Sequence, residues 1–219
     1  MRKLLGVATV LACCGLALGQ TWDEIADGGG DTGSLPATAQ VVSGSGPLTD
    51  ITGFTDGARG DREDLYLIRI IDPVGFLAHT DPSGGGDANF DTQLWLFDAG
   101  GFGILANDDK AGGSAFRSWL KLPADDGTMP VLPGVGNYYI GVTGFNNDAL
   151  SVGGQIFSPA GFTEVSGPDG PGGGSTVNGW TGAGATGEYR IHLDGAEFVP
   201  EPASLVLLGL GGLALIRRR

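Results

Sequence analysis

This chain is short of cysteine, of positive charge, of histidine and of helical periodicity. Only two cysteines occur in 219 residues, Cys13 and Cys14. Both fall inside a leader whose removal leaves none. A disulfide framework, a cysteine nucleophile and a thiolate metal site are thereby excluded from the mature chain. There are two histidines, His79 and His192, each in a strand-like stretch without a partner motif. No G-x-S-x-G and no H-E-x-x-H is present, so the common hydrolase signatures are missing. No segment carries a convincing amphipathic helical period. Two carboxylates could serve a glycosidase, which keeps a secreted hydrolase as the least favoured alternative, but with 24 acidic residues in 20–199 any such pair is cheap. The expectation is a protein that is not an enzyme.

Basic residues are also scarce. The whole chain has 12 Lys and Arg against 25 Asp and Glu. Setting aside Arg2, Lys3, Arg217, Arg218, Arg219 and Glu201 leaves 7 against 24 for residues 20–199, a net charge of −17. Such a surface repels nucleic acid and anionic membranes and favours divalent cations or basic partners. Solubility outside the cell explains the same charge. Of these 180 residues 36 are glycine, which argues for strands joined by many turns.

What is present is clearest at the two ends. Residues 1–19 have a basic start, an apolar middle and small residues at the end, the pattern of a secretory signal peptide. Ala17-Leu18-Gly19 suits signal peptidase and leaves Gln20 as the new N-terminus. A lipoprotein leader at Cys13 or Cys14 is the weaker alternative, because the apolar run before them is very short. At the other end, residues 203–216 are uncharged and precede Arg217, Arg218 and Arg219. As a helix they span about 21 Å, short of the roughly 30 Å hydrocarbon core. Snorkelling arginines narrow the gap and stay cytoplasmic.

The order Pro200-Glu201-Pro202, apolar stretch, Arg217-Arg218-Arg219 resembles the PEP-CTERM sorting signal. The resemblance covers residues 199–219 and implies an exosortase, a membrane protease or transpeptidase of Gram-negative bacteria, cutting near Pro200–Pro202. It also implies an inner-membrane-anchored precursor, a mature form at the cell surface or outside it, and an association with extracellular polysaccharide. Signal peptidase is the second expected processing partner.

Between the ends, residues 20–38 read as a flexible lead-in and residues 39–195 as one domain. Strand signals recur at 39–43, 48–54, 64–71, 74–80, 92–97, 102–106, 114–122, 137–145 and 188–194. The 64–71 stretch is apolar on both faces, which predicts a central strand. In the last stretch Tyr189, Ile191 and Leu193 alternate with polar residues and are expected to point inward. About nine short strands predict an all-β, jelly-roll-like β-sandwich, flanked by the signal helix and a C-terminal transmembrane helix. Residues 150–185, containing Gly-Pro-Asp-Gly-Pro-Gly-Gly-Gly at 167–174, read as a long loop with a small hairpin near Gln155–Phe157.

The succession Leu48-Thr-Asp-Ile-Thr-Gly53, Asp64-Leu-Tyr-Leu-Ile68, Asp91-Thr-Gln-Leu-Trp-Leu-Phe-Asp98, Ile104-Leu-Ala-Asn-Asp-Asp109, Gly136-Asn-Tyr-Tyr-Ile-Gly-Val142 and Gly187-Glu-Tyr-Arg-Ile191 resembles the bacterial pre-peptidase C-terminal domain. That resemblance, over about residues 41–193, implies a β-sandwich that accompanies secreted enzymes and in some members binds calcium through acidic loops. The glycine-rich insertion departs from its pattern, and no enzyme domain accompanies it here.

Calcium is the one cofactor the residues suggest. Asp87, Asn89 and Asp91 place oxygens at alternate positions like the start of an EF-hand, but Thr92 and Asp98 stand where that loop needs glycine and glutamate. A non-EF loop using Asp87, Asn89 and Asp91 stays open, with Asn107, Asp108 and Asp109 brought near by the intervening hairpin. Asp125-Asp126 and Asn146-Asn147-Asp148 are further candidates. Turn formation alone accounts for all these residues equally well. Among aromatics, Trp95 alternates with Leu94 and Leu96 and is expected in packing, while Trp180 in the glycine-rich loop is the better sugar-stacking candidate.

Overall fold

A computed structural model describes residues 19–112, 116–182 and 184–201. The expected signal peptide (1–19) and transmembrane segment (203–216) lie outside the described residues except for Gly19, as do Ala17, Pro202, Arg217, Arg218 and Arg219. No described helix is long and apolar enough to cross a membrane.

The strands in order are β1 (Gln20–Asp23), β2 (Gln40–Val41), β3 (Ser43–Gly44), β4 (Leu48–Phe54), β5 (Glu63–Ile70), β6 (Leu77–His79), β7 (Asp87–Ala88), β8 (Thr92–Asp98), β9 (Gly103–Asn107), β10 (Trp119–Lys121), β11 (Gly136–Gly144), β12 (Ala149–Ser151), β13 (Gly154–Gln155), β14 (Gly179–Trp180), β15 (Glu188–Asp194), β16 (Ala196–Glu197) and β17 (Val199–Pro200). One 3-10 turn, Pro82–Gly84, is the only helical element among the described residues.

Two six-stranded sheets make a β-sandwich-like, nearly all-β body. One runs β1-β4-β15-β6-β10 with β7 against β15, the other β16-β5-β11-β8-β9 with β2 against β5. Between them lies the main core, including Leu48, Ile51, Tyr66, Ile68, Ile70, Leu94, Leu96, Ile140, Ile191 and Leu193. Successive side chains of a strand face opposite ways. Tyr189, Ile191 and Leu193 are accordingly buried while Glu188, Arg190 and Asp194 are exposed. β5 pairs with β11, β16 and β2, the central place its two apolar faces require.

The second face of that sheet is also covered. Leu65, Trp95, Phe97 and Ala106 pack against Ala149, Ile156, Phe157 and Val177. These partners come from the segment expected as a long loop. Residues 149–180 instead form a three-stranded sheet, β13-β12-β14, laid over the sandwich. Apolar residues spaced along the glycine-rich run supply the missing reason: Ile156 and Phe157 are buried and so need a surface to cover. Gly103 admits them, because a Cβ there would sit 2.6 Å from Ile156 Cγ2.

The expected lead-in is likewise part of the fold. β1 pairs in parallel with β4. Trp22 is buried, packs edge-on against Phe198 at 6.4 Å and donates from Nε1 to Gln40 Oε1 at 3.2 Å. At the other end Phe198 is buried, and β17 pairs in parallel with β3. The folded body therefore extends from Gln20 to Pro200 rather than from 39 to 195. The stretches expected at 74–80 and 114–122 shrink to the short strands β6 and β10, which pair with each other.

Candidate metal centre

The β8–β9 hairpin builds the site. The turn between them is set by Asp98, whose Oδ1 accepts from Gly100 N and Phe102 N. The ladder pairs Leu94 with Asn107, so the residues before β8 meet those after β9. Asp91, Asp108 and Asp109 consequently offer carboxylate oxygens all within 4.8 Å of one another. Of the six residues suggested for calcium, these three are brought together.

The other three are used elsewhere. Asp87 Oδ1 accepts from Ala88 N, and Asn89 Oδ1 accepts from Glu188 N. Asn107 holds the loop: its Nδ2 donates to the carbonyls of Asp109 and Glu164, and its Oδ1 accepts from Trp119 N at 2.7 Å. The further candidates make turns and loop ties. Asp126 accepts from Thr128 N and Gly167 N, Asp125 from Val165 N, and Asn147 Nδ2 donates to Glu63 Oε1.

Backbone ties fix the three carboxylates. Asp91 O accepts from Phe145 N, and Asp109 N donates to Phe162 O. Asp109 Oδ1 accepts from Phe116 N at 2.8 Å. Asp108 is 7% exposed. Its Oδ1 and that of Asp91 are buried without a hydrogen-bond partner among the described residues. Burial, then the charges of Asp109 and Asp91, push the Asp108 carboxyl up to about 8. Burial and Asp109 raise Asp91, with Arg117 opposing. Arg117 is spent on backbone carbonyls of Phe90, Phe116 and Ala88.

Buried carboxylates without counter-charge are costly. A bound cation relieves that cost. An all-oxygen, carboxylate-rich set suits a hard ion such as calcium, not zinc or copper. Ligands at about 2.4 Å from one ion lie at most about 4.8 Å apart, a limit that the three carboxylates meet.

The aromatic expectations divide. Trp95 is buried in the second core, as its alternation required. Trp180 is not a free platform. Its Nε1 donates to Ser34 O at 2.8 Å, and its ring packs edge-on against Trp95 and Phe97. The two histidines, separate in the sequence, meet across β6 and β15 at 5.2 Å. His79 stacks on Trp119 and lies under Gly84, where a Cβ would come within 2.6 Å of its ring. His79 is 2% exposed.

The described residues thus form a nearly all-β, sandwich-like body with a cluster of three carboxylates at one hairpin. Residues 198–219 match the PEP-CTERM protein-sorting motif. A signal of this kind implies an exported protein processed by an exosortase. The match covers the tail alone and does not extend to the middle region. No curated protein and no solved structure matches the chain.

Proposed function

We propose that this chain is an exported, non-enzymatic structural or adhesive protein of the cell surface or extracellular matrix, stabilised by calcium at Asp91, Asp108 and Asp109. The observation that carries the reading is the continuity between domain and sorting motif. Phe198 sits in the core and β17 ends at Pro200, so the sorted cargo is the β domain itself. The precursor is held in the inner membrane by its tail until the exosortase cuts it. The domain serves as a module resembling the pre-peptidase C-terminal fold, with extracellular polysaccharide as its partner. Comparing hosts with and without the exosortase tests this. Mass spectrometry should place the mature C-terminus within 200–202, with the protein outside the cell only when the enzyme is present. Full-length protein, leader intact and soluble in the cytoplasm, would overturn it.

A second reading is a calcium-dependent carbohydrate- or protein-binding module, and one cleft of about 390 Å³ favours its carbohydrate form. Asp23, Thr52, Asp87, Asn89, Glu188 and Arg190 line it with hydrogen-bonding groups suited to sugar hydroxyls. Glycan-array binding that disappears in EDTA supports it, and the same binding with or without calcium counts against it.

A further inference from the structure

A second acidic cluster lies away from the hairpin. Glu24 follows β1, Asp31 sits in the loop after it, and Asp64 lies in β5. The three offer carboxylate oxygens within 4.8 Å of one another. Glu24 and Asp64 are each 1% exposed, while Asp31 is at the surface. No basic side chain among the described residues lies within 4.0 Å of any of them.

The hydrogen bonds leave a defined gap. Thr32 N donates to Glu24 Oε1 at 2.8 Å, and Phe54 N donates to Oε2 at 3.0 Å. Two amide donors suit an ionised Glu24. Tyr189 donates to Asp64 Oδ2 at 2.6 Å, and its hydroxyl meets that of Tyr66 at 2.5 Å. Asp64 Oδ1 is buried and has no partner among the described residues. One of the three clustered carboxylates, itself 1% exposed, thus carries a buried acceptor oxygen with nothing described to satisfy it. An orphaned buried acceptor needs a ligand or an ion.

We propose that Glu24, Asp31 and Asp64 form a second calcium site, distinct from the one at the β8–β9 hairpin. Its geometry carries a consequence for the fold. Glu24 and Asp31 belong to the N-terminal segment, and Asp64 to the central strand. An ion shared by them fastens the segment that begins at Gln20 to the sandwich, where a disulfide is not available. Asp31 at the surface gives the ion its way in and leaves room for water ligands.

The test uses the full chain in detergent, stripped with EDTA and titrated with calcium alone. Equilibrium dialysis should give two ions per chain. Asp31→Asn, an exposed substitution that leaves the core intact, should weaken one of the two at least tenfold, as should Asp64→Asn. Asp108→Asn should remove the other. Hydrogen exchange supplies the positional readout. Calcium should slow the amides of residues 22–33 at least tenfold in the wild type and in Asp108→Asn, and not in Asp31→Asn. If Asp31→Asn keeps both ions, or if calcium leaves residues 22–33 unchanged, the second site is wrong. If Asp31→Asn loses an ion while Asp108→Asn does not, this site stands and the hairpin site falls.

Discussion

The hairpin site makes its sharpest prediction through Asp108→Asn, which should stabilise the metal-free protein and abolish much of the response to calcium. Asp108 is held within 4.8 Å of Asp91 and Asp109. At an effective dielectric of about 20 each such pair repels by about 3 kcal/mol when both members are ionised. Asp91 and Asp109 are only half-buried, so solvent screening reduces this. We expect about 2 kcal/mol in total at about pH 9, above the value of about 8 to which Asp108 is pushed. For a domain of this size 1 kcal/mol moves Tm by roughly 2–4 °C. Asp108→Asn in EDTA should then melt about 4–8 °C above the wild type.

Calcium reverses the order. At 100 times its Kd a ligand stabilises by about 2.7 kcal/mol, or about 5–11 °C here. The wild type should gain that increment, and Asp108→Asn should gain only what the second site supplies. Differential scanning calorimetry of the full chain in detergent, with EDTA and with calcium, reads both numbers. A variant that melts below the wild type in EDTA would show that Asp108 is a structural acceptor and that carboxylate repulsion does not govern the metal-free stability.

Other perturbations probe the rest of the fold. Phe157→Ala should cost about 3–5 kcal/mol in chemical denaturation, because its ring is buried against Trp95 and Phe97; a loss under 1 kcal/mol would mean that the 149–180 layer packs only weakly. His79 is held below its ordinary 6.5 by burial and then by His192. The unfolded chain therefore takes up the proton first, so this contribution is complete above pH 6.5 and is lost as pH falls below it. His79→Gln should flatten that part of the Tm–pH curve, and an unchanged slope would assign it elsewhere. Lys110→Met should destabilise by about 3 kcal/mol or more, since Asp81, 1% exposed, would lose the 2.7 Å partner that offsets its burial. Its carboxyl is held down to about 2, where burial is outweighed by Lys110 and Ser83. The pair's contribution is thus present above pH 3.8 and lost as pH falls through about 2.

Much of the sandwich was legible because its strands obey local rules. β4, β8 and β15 fall within a residue of where alternation and turn residues place them. β5 could be called central because a strand buried on both faces cannot alternate. The hairpin site was half-legible for the same reason: antiparallel pairing carries Asp108 and Asp109 back toward Asp91 whatever the rest of the chain does. Long-range partners were not legible. Trp22 looked like part of a polar lead-in, yet it is buried beside Phe198, 176 positions away. Glycine content hid the 149–180 layer, because propensity favours loop there while a few apolar residues decide the packing. Glu24, Asp31 and Asp64 share no local spacing, so only the fold gathers them.

The same long-range closure bears on how the precursor is cut. The sorting match begins at Phe198, and the folded body ends at Pro200. Motif and domain therefore overlap at Phe198, Val199 and Pro200. A cut before Phe198 would remove a buried ring, and Phe→Ala changes in cores cost about 3–5 kcal/mol. A cut at 200–202 leaves the ring in place and β17 paired with β3. Mature protein ending at 197 should therefore melt well below protein ending at 201. No cysteine lies between Gln20 and Pro200, and both β1 and β17 pair within the folded body, so the described domain keeps its closure without a disulfide, through packing. A cut at 200–202 would lie at the edge of the folded body, and a cut before Phe198 would fall within it.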